Sequence, residues 1–321
     1  MSVGELKVRD LSVHYQVQHG GGHAVLRAAE HVHFDIPPGT TLGVVGESGS
    51  GKSSIARALM RLVPAAGGQV LLDGQDLLQL EGAALRTARR KIQMIFQDPV
   101  ASLDPRMTVE DIIAEPLRSF CPEMDRAQRH AEVLAMMQRV GLAPEHLRCF
   151  PHEFSGGQAQ RIGIARALVQ KPSVVICDEP ISALDVSIRA QIANLLRDLQ
   201  QEFGLTLLFI AHDLATVRYS CDQVLVLYLG RVMELASREQ LFANPRHPYT
   251  RALLDAAPIP DPVLARSRKA EPLRGEIPSP MNPPSGCVFR TRCPIAEARC
   301  AETVPPLIAK RPGHEVACLL D

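Results

Sequence analysis

The chain has 321 residues, 46% hydrophobic and 22% charged, with 35 basic side chains balanced by 35 acidic ones. That length makes one large domain or two of ordinary size, and a net charge of zero excludes a broad electrostatic attraction to nucleic acid or anionic lipid. No apolar run approaches the roughly 20 residues that span a bilayer, and MSVGELKVRDLSVHYQV at the start is charged early and lacks a signal-peptide core. The chain is therefore expected in the cytosol unless another protein holds it at a membrane. Thiols stay reduced there, so a disulfide framework is a poor use for its eight cysteines.

Residues 6 to 45 read as strands separated by turns. LKVRDLSVHY alternates, GGGH breaks the pattern, and HVHFDIPPG alternates and stops. TLGVVG is a buried strand running into a glycine-rich turn, with KSSIARALMRLV the helix after it. KIQMIFQ is another strand. Residues 105 to 150 are mostly helical in pattern, AQRHAEVLAMMQRVGL being the clearest amphipathic piece. PSVVICDEP, LTLLFIAHD and QVLVLYLG are strands again, and IRAQIANLLRDLQQEFG is a helix between two of them. Strands alternating with helices predict an α/β fold on a mostly parallel sheet. After about residue 245 the chain turns proline-rich (PIPDPV, EIPSPMNPPSG, VPPL) and helix periodicity fades, which predicts an extended, loop-rich appendage.

Three motifs carry chemistry. GESGSGKS matches the phosphate-binding loop G-x-x-x-x-G-K-[ST], over Gly46, Glu47, Ser48, Gly49, Ser50, Gly51, Lys52 and Ser53. Its glycines let backbone N–H groups curl around phosphates, Lys52 reaches the β- and γ-phosphates, and the Ser53 hydroxyl can ligate Mg²⁺. VVICDEP is an apolar strand ending in two carboxylates. Asp178 at its edge suits Mg²⁺, and Glu179, one step on, suits a general base that polarises water. FSGGQAQRIGIARAL opens a helix on Ser155, Gly156, Gly157 and Gln158, a second anion-binding cup that one nucleotide cannot share with the first inside one subunit. The second cup is therefore expected to close on a nucleotide held by a partner.

With these three in order, the chain resembles the ATP-binding cassette family, the ATPase subunits of ABC transporters. The resemblance implies a phosphate-loop ATP-binding cassette with a β subdomain and a helical subdomain. It adds Gln97 in IFQDP as the glutamine that reaches Mg²⁺ and the attacking water, Ser182 to Asp185 (SALD) as the D-loop, and His212 in IAHD as the switch histidine at the γ-phosphate. It adds Tyr15 in VHYQV as the aromatic that stacks on adenine. Phe154 stands where the family often has Leu, apolar for apolar. The catalytic set is complete, so ATP hydrolysis is expected, with Glu179 and His212 in the catalytic roles. Residues 97 to 117 are expected to dock a short helix from a membrane subunit.

NPRHPYTRALLDAAP and GEIPSPMNPPSGCVFRTRCP resemble the tails of bacterial dipeptide and oligopeptide importer ATPases, a subfamily that includes nickel importers. The pattern fits the second, F-type, of their two paired ATPases. This implies a cassette over residues 1–245 and an oligopeptide/dipeptide transporter extension over 246–321. It implies work at the cytoplasmic face of the membrane with a second ATP-binding subunit, two membrane-spanning permease subunits and an extracytoplasmic substrate-binding protein. Within the extension Cys287, Cys293, Cys300 and Cys318 are spaced C-x₅-C-x₆-C-x₁₇-C. Four cytosolic thiolates can hold zinc or an iron–sulfur cluster, or simply pack a small domain. Zinc sites usually pair cysteines two to four residues apart, and no C-x-x-C occurs. The subfamily resemblance implies a [4Fe–4S] cluster.

Overall fold

The computed structural model describes residues 4–19, 22–182, 184–256 and 275–321. They fall into two compact units, each assembled from separate stretches of chain.

One unit comprises Met1–Lys7, Asp35–Thr41 and Val70–Ile210. Its sheet core is three parallel strands, Ile92–Ile95, Val174–Asp178 and Thr206–Ile210, with Val174–Asp178 in the middle. Ile92 pairs with Val174 and Asp178 with Ile210. Every residue of the middle strand is buried, as expected of a continuous aliphatic run covered on both faces. Helices Val109–Phe120, Arg126–Arg139 and Gly156–Leu168 pack on one another as a helical subdomain. Val109, Ile112, Ile113 and Leu117 give the first of these a buried stripe at helical spacing. Thr108 caps that helix by accepting the Asp111 N–H at 3.2 Å, and Asp125 caps the next in a reciprocal box with Gln128.

The other unit comprises Val8–Phe34, Leu42–Gln69 and Ala211–Asp321. Two long strands, Leu6–His19 and Gly22–Ile36, lie side by side. Thr41–Val45 runs parallel to Gln223–Tyr228, with Leu42 opposite Gln223 and Val45 opposite Val226. Arg231–Ser237 returns antiparallel on Gln223–Tyr228.

The C-terminal stretch is loop-rich over residues 276–298, as the sequence suggests, but it also holds regular elements that the sequence pattern does not show. Pro248–Ala256 is a helix, and His314–Val316 and Ile308–Arg311 extend the antiparallel sheet outward from Arg231–Ser237. Strands of three or four residues are too short to show a period, and they form because an existing sheet edge offers them partners. A buried carboxylate fastens this addition. Glu234, fully buried, accepts the N–H groups of Arg246 and His247 at 2.9 Å each and pairs with His314 Nε2 at 2.7 Å. PIPDPV lies outside the described residues.

Candidate active site

The phosphate loop belongs to the second unit. Strand Thr41–Val45 is wholly buried and delivers the chain to Gly46, and helix Lys52–Leu59 follows the loop. Packing dictates glycine at both ends. A Cβ on Gly46 would sit 2.1 Å from the Leu227 carbonyl oxygen, and one on Gly51, whose φ is +104°, 2.0 Å from that of Ala28. Gly51 has no side chain with which to cap the first N–H groups of the helix. The positive end of the helix and those donors are the elements of an anion site. Lys52, buried, folds back so that Nζ donates to the carbonyls of Gly46 (2.8 Å) and Glu47 (3.0 Å).

Tyr15 lies half-buried on strand Leu6–His19. His212 is exposed in the turn that precedes helix Leu214–Ser220. The N–H of its neighbour Ala211 donates to the carbonyl of Val44, two residues ahead of the phosphate loop, at 3.1 Å. The structure thus ties the His212 turn to the strand that feeds the loop.

A second set of contacts on the loop had no motif to announce it. The Glu47 N–H donates to the Tyr249 hydroxyl at 3.0 Å. The Glu47 carboxylate takes both arms of the Arg292 guanidinium, at 2.6 and 3.1 Å. Arg292 lies over the Tyr228 ring, 5.8 Å from its centroid, and Tyr228, Tyr249 and Phe289 pack with centroids 4.7 to 5.3 Å apart. The carboxylate holds the guanidinium pKa above its ordinary value, while burial pushes the Tyr249 phenol up, so both keep their protons.

In the first unit the middle strand ends as expected in Asp178 and Glu179, both buried. Glu179 adopts φ +50°, the left-handed region that a non-glycine residue occupies at a cost of about 1–3 kcal/mol. Its surroundings pin it there. Its N–H donates to the Ile210 carbonyl at 3.1 Å, and its own carbonyl accepts the N–H and hydroxyl of Ser182 at 3.2 and 3.1 Å. The carboxylate is thereby turned to meet Gln97, whose Nε2 donates to Oε2 at 2.7 Å. The structure brings these two together from sequence positions 82 apart. Such a pair can hold a water between an acceptor and a donor. Cys177, one residue before Asp178, is fully buried, and desolvation pushes its thiol up to about 12. It is a core residue.

Ser155 caps helix Gly156–Leu168 in a reciprocal box. It accepts the Gln158 N–H at 3.4 Å, and Gln158 Oε1 accepts the Ser155 N–H at 3.1 Å. Ser155 and Gly156 are exposed, so this cup faces outward with part of its donor set internally satisfied. Asp185 is exposed at the start of helix Val186–Phe203 and makes no side-chain cap there. Ala183 of the SALD stretch lies outside the described residues.

Known proteins resemble this chain in sequence and fold. Residues 29–182 match the family described as ABC transporter, and residues 233–300 match the oligopeptide/dipeptide transporter C-terminal region. The chain is 54% identical to the oligopeptide transport ATP-binding protein OppF of Salmonella typhimurium, over 98% of its own length and 95% of that protein. It is equally identical to a putative peptide import ATP-binding protein of Brucella ovis, over 98% of both.

The chain belongs to the ABC transporter family.

Among solved structures, the dimeric ATP-binding cassette MJ0796 with ADP and phosphate matches with a TM-score of 0.65 and 28% identity, over 73% of this chain and 98% of that one. CbiO1 of Clostridium perfringens matches with 0.64 and 26%, over 76% and 91%. This ABC protein is thus a transport-coupled ATPase on the expected α/β cassette fold, and ATP with Mg²⁺ is the ligand set its family requires. ATPases of this family work on membrane permease subunits, and among the described residues no helix is long and apolar enough to cross a membrane.

The four tail cysteines of this ABC protein are all free thiols. Burial raises the thiol pKa values of Cys287 and Cys293, and the neighbouring tail cysteines add to that rise. The Cys287 N–H donates to the Cys300 carbonyl at 2.8 Å. Three of the sulfurs face a backbone N–H two residues on: Phe289 for Cys287, Ile295 for Cys293 and, at 3.4 Å, Leu320 for Cys318. Such donors suit metal-bound thiolates. Yet among the described residues no three cysteine, histidine or acidic side chains close to metal-holding separation.

Proposed function

We propose that this protein is the ATP-hydrolysing subunit of an ABC importer of dipeptides or oligopeptides, bound peripherally at the cytoplasmic face of the membrane. In that complex it pairs with a second, similar ATP-binding subunit, two membrane-spanning permeases and an extracytoplasmic substrate-binding protein. The observation that carries the reading is one chain that joins a match to the ABC transporter family, over residues 29–182, to a match to the oligopeptide/dipeptide transporter C-terminal region, over residues 233–300. We place the functional boundary near residue 245, with the cassette before it and the peptide-importer extension after.

In this reading the loop from Gly46 to Ser53 wraps the phosphates, and Lys52 leaves the Gly46 and Glu47 carbonyls for the β- and γ-phosphates. Tyr15 stacks on the adenine. Ser53, Asp178 and Gln97 would hold Mg²⁺, which when bound would supply charge neutralisation at the phosphates. Glu179 takes the proton of the attacking water, positioned by Gln97, and His212 holds the γ-phosphate. Ser155, Gly156, Gly157 and Gln158 close on the nucleotide of the second subunit, and Asp185 faces the same junction. Closure then moves the permeases through the region from Gln97 to Leu117.

The four cysteines would hold a [4Fe–4S] cluster. Their thiol chemistry and the three N–H donors support it, and the ligand set still has to draw together around the group. The cluster would supply a structural crosslink to a proline-rich segment.

Uptake in cells expressing the assembled transporter tests the proposal, with labelled dipeptide, longer peptide and Ni²⁺ as probes and Lys52→Ala as the inactive control. Peptide uptake that disappears with Lys52→Ala is the expected result. Uptake of Ni²⁺ alone would move the cargo to metal, and no uptake in a complex that still hydrolyses ATP would overturn import. For the cluster, iron and sulfide in equal amounts after anaerobic purification are expected, and stoichiometric zinc would refute it.

A further inference from the structure

We infer that Arg292 is a positioning residue for ATP binding: from the C-terminal extension it fixes the phosphate loop through Glu47. The inference rests on the loop being the ATP site.

Glu47 is gripped at two points. Arg292 holds its carboxylate in a two-pronged fork at 2.6 and 3.1 Å, and Tyr249 accepts its backbone N–H at 3.0 Å. A third contact lies on the same residue, because the Glu47 carbonyl receives Lys52 Nζ at 3.0 Å. The extension therefore sets the peptide that sets the resting place of the phosphate-binding lysine. A fork fixes direction as well as distance, which a single hydrogen bond does not.

Packing alone does not account for the guanidinium. Arg292 is only 8% exposed, among Tyr228 and Phe289, and its Nε is buried without a hydrogen-bond partner. An apolar side chain would fill this aromatic pocket without burying a charge or leaving a donor unpaired at this position, but it would leave the Glu47 carboxylate without its fork, and removing one member of a close ion pair is destabilising. What arginine adds there is its grip on Glu47. Because Glu47 precedes the glycines and lysine that face phosphate, a loosened grip should blur the loop before nucleotide arrives. It should leave the hydrolytic pair Gln97 and Glu179 as it was.

The test is steady-state ATPase kinetics of the full-length protein in its assembled transporter. Arg292→Met keeps length and apolar bulk but removes the fork, and Arg292→Lys keeps the charge alone. The expected result for Arg292→Met is a KM for ATP raised about tenfold, the size of one charge-assisted hydrogen bond, with kcat within about twofold. Arg292→Lys should fall between Arg292→Met and wild type. Glu47→Gln should raise KM similarly, and adding it to Arg292→Met should change KM by less than about twofold, because the two act as one contact. An unchanged KM in folded Arg292→Met overturns the inference. So does a loss of kcat and thermal stability with KM untouched, which is the mark of packing alone. Should Arg292→Met fail to fold, Glu47→Gln decides by the same KM criterion. Lys52→Ala separates the two levels. If it binds ATP like wild type, the loop is not the ATP site. If it fails to bind while Arg292→Met behaves as wild type, only the positioning role falls.

Discussion

The strand end at Glu179 and the phosphate loop at Glu47 are both held in place, by opposite means. Glu179 is pinned by its own layer of the fold. The neighbouring strand takes its N–H, Ser182 three residues on takes its carbonyl, and Gln97 takes its carboxylate, all around a backbone in the left-handed region. Glu47 is held by the far end of the chain, through Tyr249 and Arg292. The first arrangement stores strain at the carboxylate proposed as the general base. The second spreads the support of a flexible, glycine-rich loop over a separate segment. A locally strained site should respond to substitution in its chemistry, and a remotely supported one in its binding and stability.

The sharpest way to break that contrast is Glu179→Gln. The amide keeps the shape and the contact to Gln97 but cannot take a proton. Loss of general-base action costs about 10²–10⁴ in rate, so kcat should fall by that range while ATP binding persists. Single-turnover hydrolysis alongside equilibrium nucleotide binding checks it, and wild-type turnover would show that another group is the base.

Next in size is the fastening of the extension. Glu234 is fully buried with three donors on its carboxylate. Glu234→Gln replaces one acceptor oxygen by an NH₂ group facing donors and removes the charge beside His314. Breaking a buried pair from one side costs about 3 kcal/mol. Denaturant unfolding of the full chain should show that loss, and a change below about 0.5 kcal/mol would mean that the extension is held elsewhere.

Much of the chemistry is legible in the amino-acid sequence. The phosphate loop, the carboxylate pair at the strand end and the signature sequence are each contiguous, and the chemistry demands those residue types side by side. The α/β alternation is legible because each buried strand is an aliphatic run bounded by turn residues. What stays hidden depends on distance along the chain. Arg292 meets Glu47 across 245 residues, and no local period announces such a contact. The left-handed backbone of Glu179 follows from bonds to Ile210 and Ser182 rather than from its own type. The strands His314–Val316 and Ile308–Arg311 exist because a sheet edge is available to them.

His247 turns the same contrast into a pH dependence. It is 2% exposed, its Nδ1 accepts the Tyr249 N–H at 3.0 Å, and burial lowers its pKa from 6.5 to about 3. It is neutral in the fold, whereas an unfolded chain protonates it below pH 6.5. Between these values the unfolded state binds the extra proton, so stability falls as pH falls, by about 1.4 kcal/mol per unit. The chain should be about 2 kcal/mol less stable at pH 5 than at pH 7 from this residue. His247→Asn keeps an acceptor for Tyr249 without a titrating group, and should flatten the acid limb. An unchanged slope would assign it to other residues.

The smallest effect belongs to the signature helix, and it separates two roles of one residue. Ser155 both caps its own helix and is proposed to face the nucleotide of the second subunit. Loss of a serine cap costs about 1 kcal/mol, so Ser155→Ala should lower unfolding stability by that amount. Ser155→Asp restores a capping oxygen but brings a negative charge to the cup. If the exposed cup receives phosphate, the aspartate should recover stability and still depress ATPase activity in the assembled complex by more than the alanine does. If both variants lose stability and activity in step, the box with Gln158 accounts for the residue. The outward-facing helix start would then have to be explained by its cap alone.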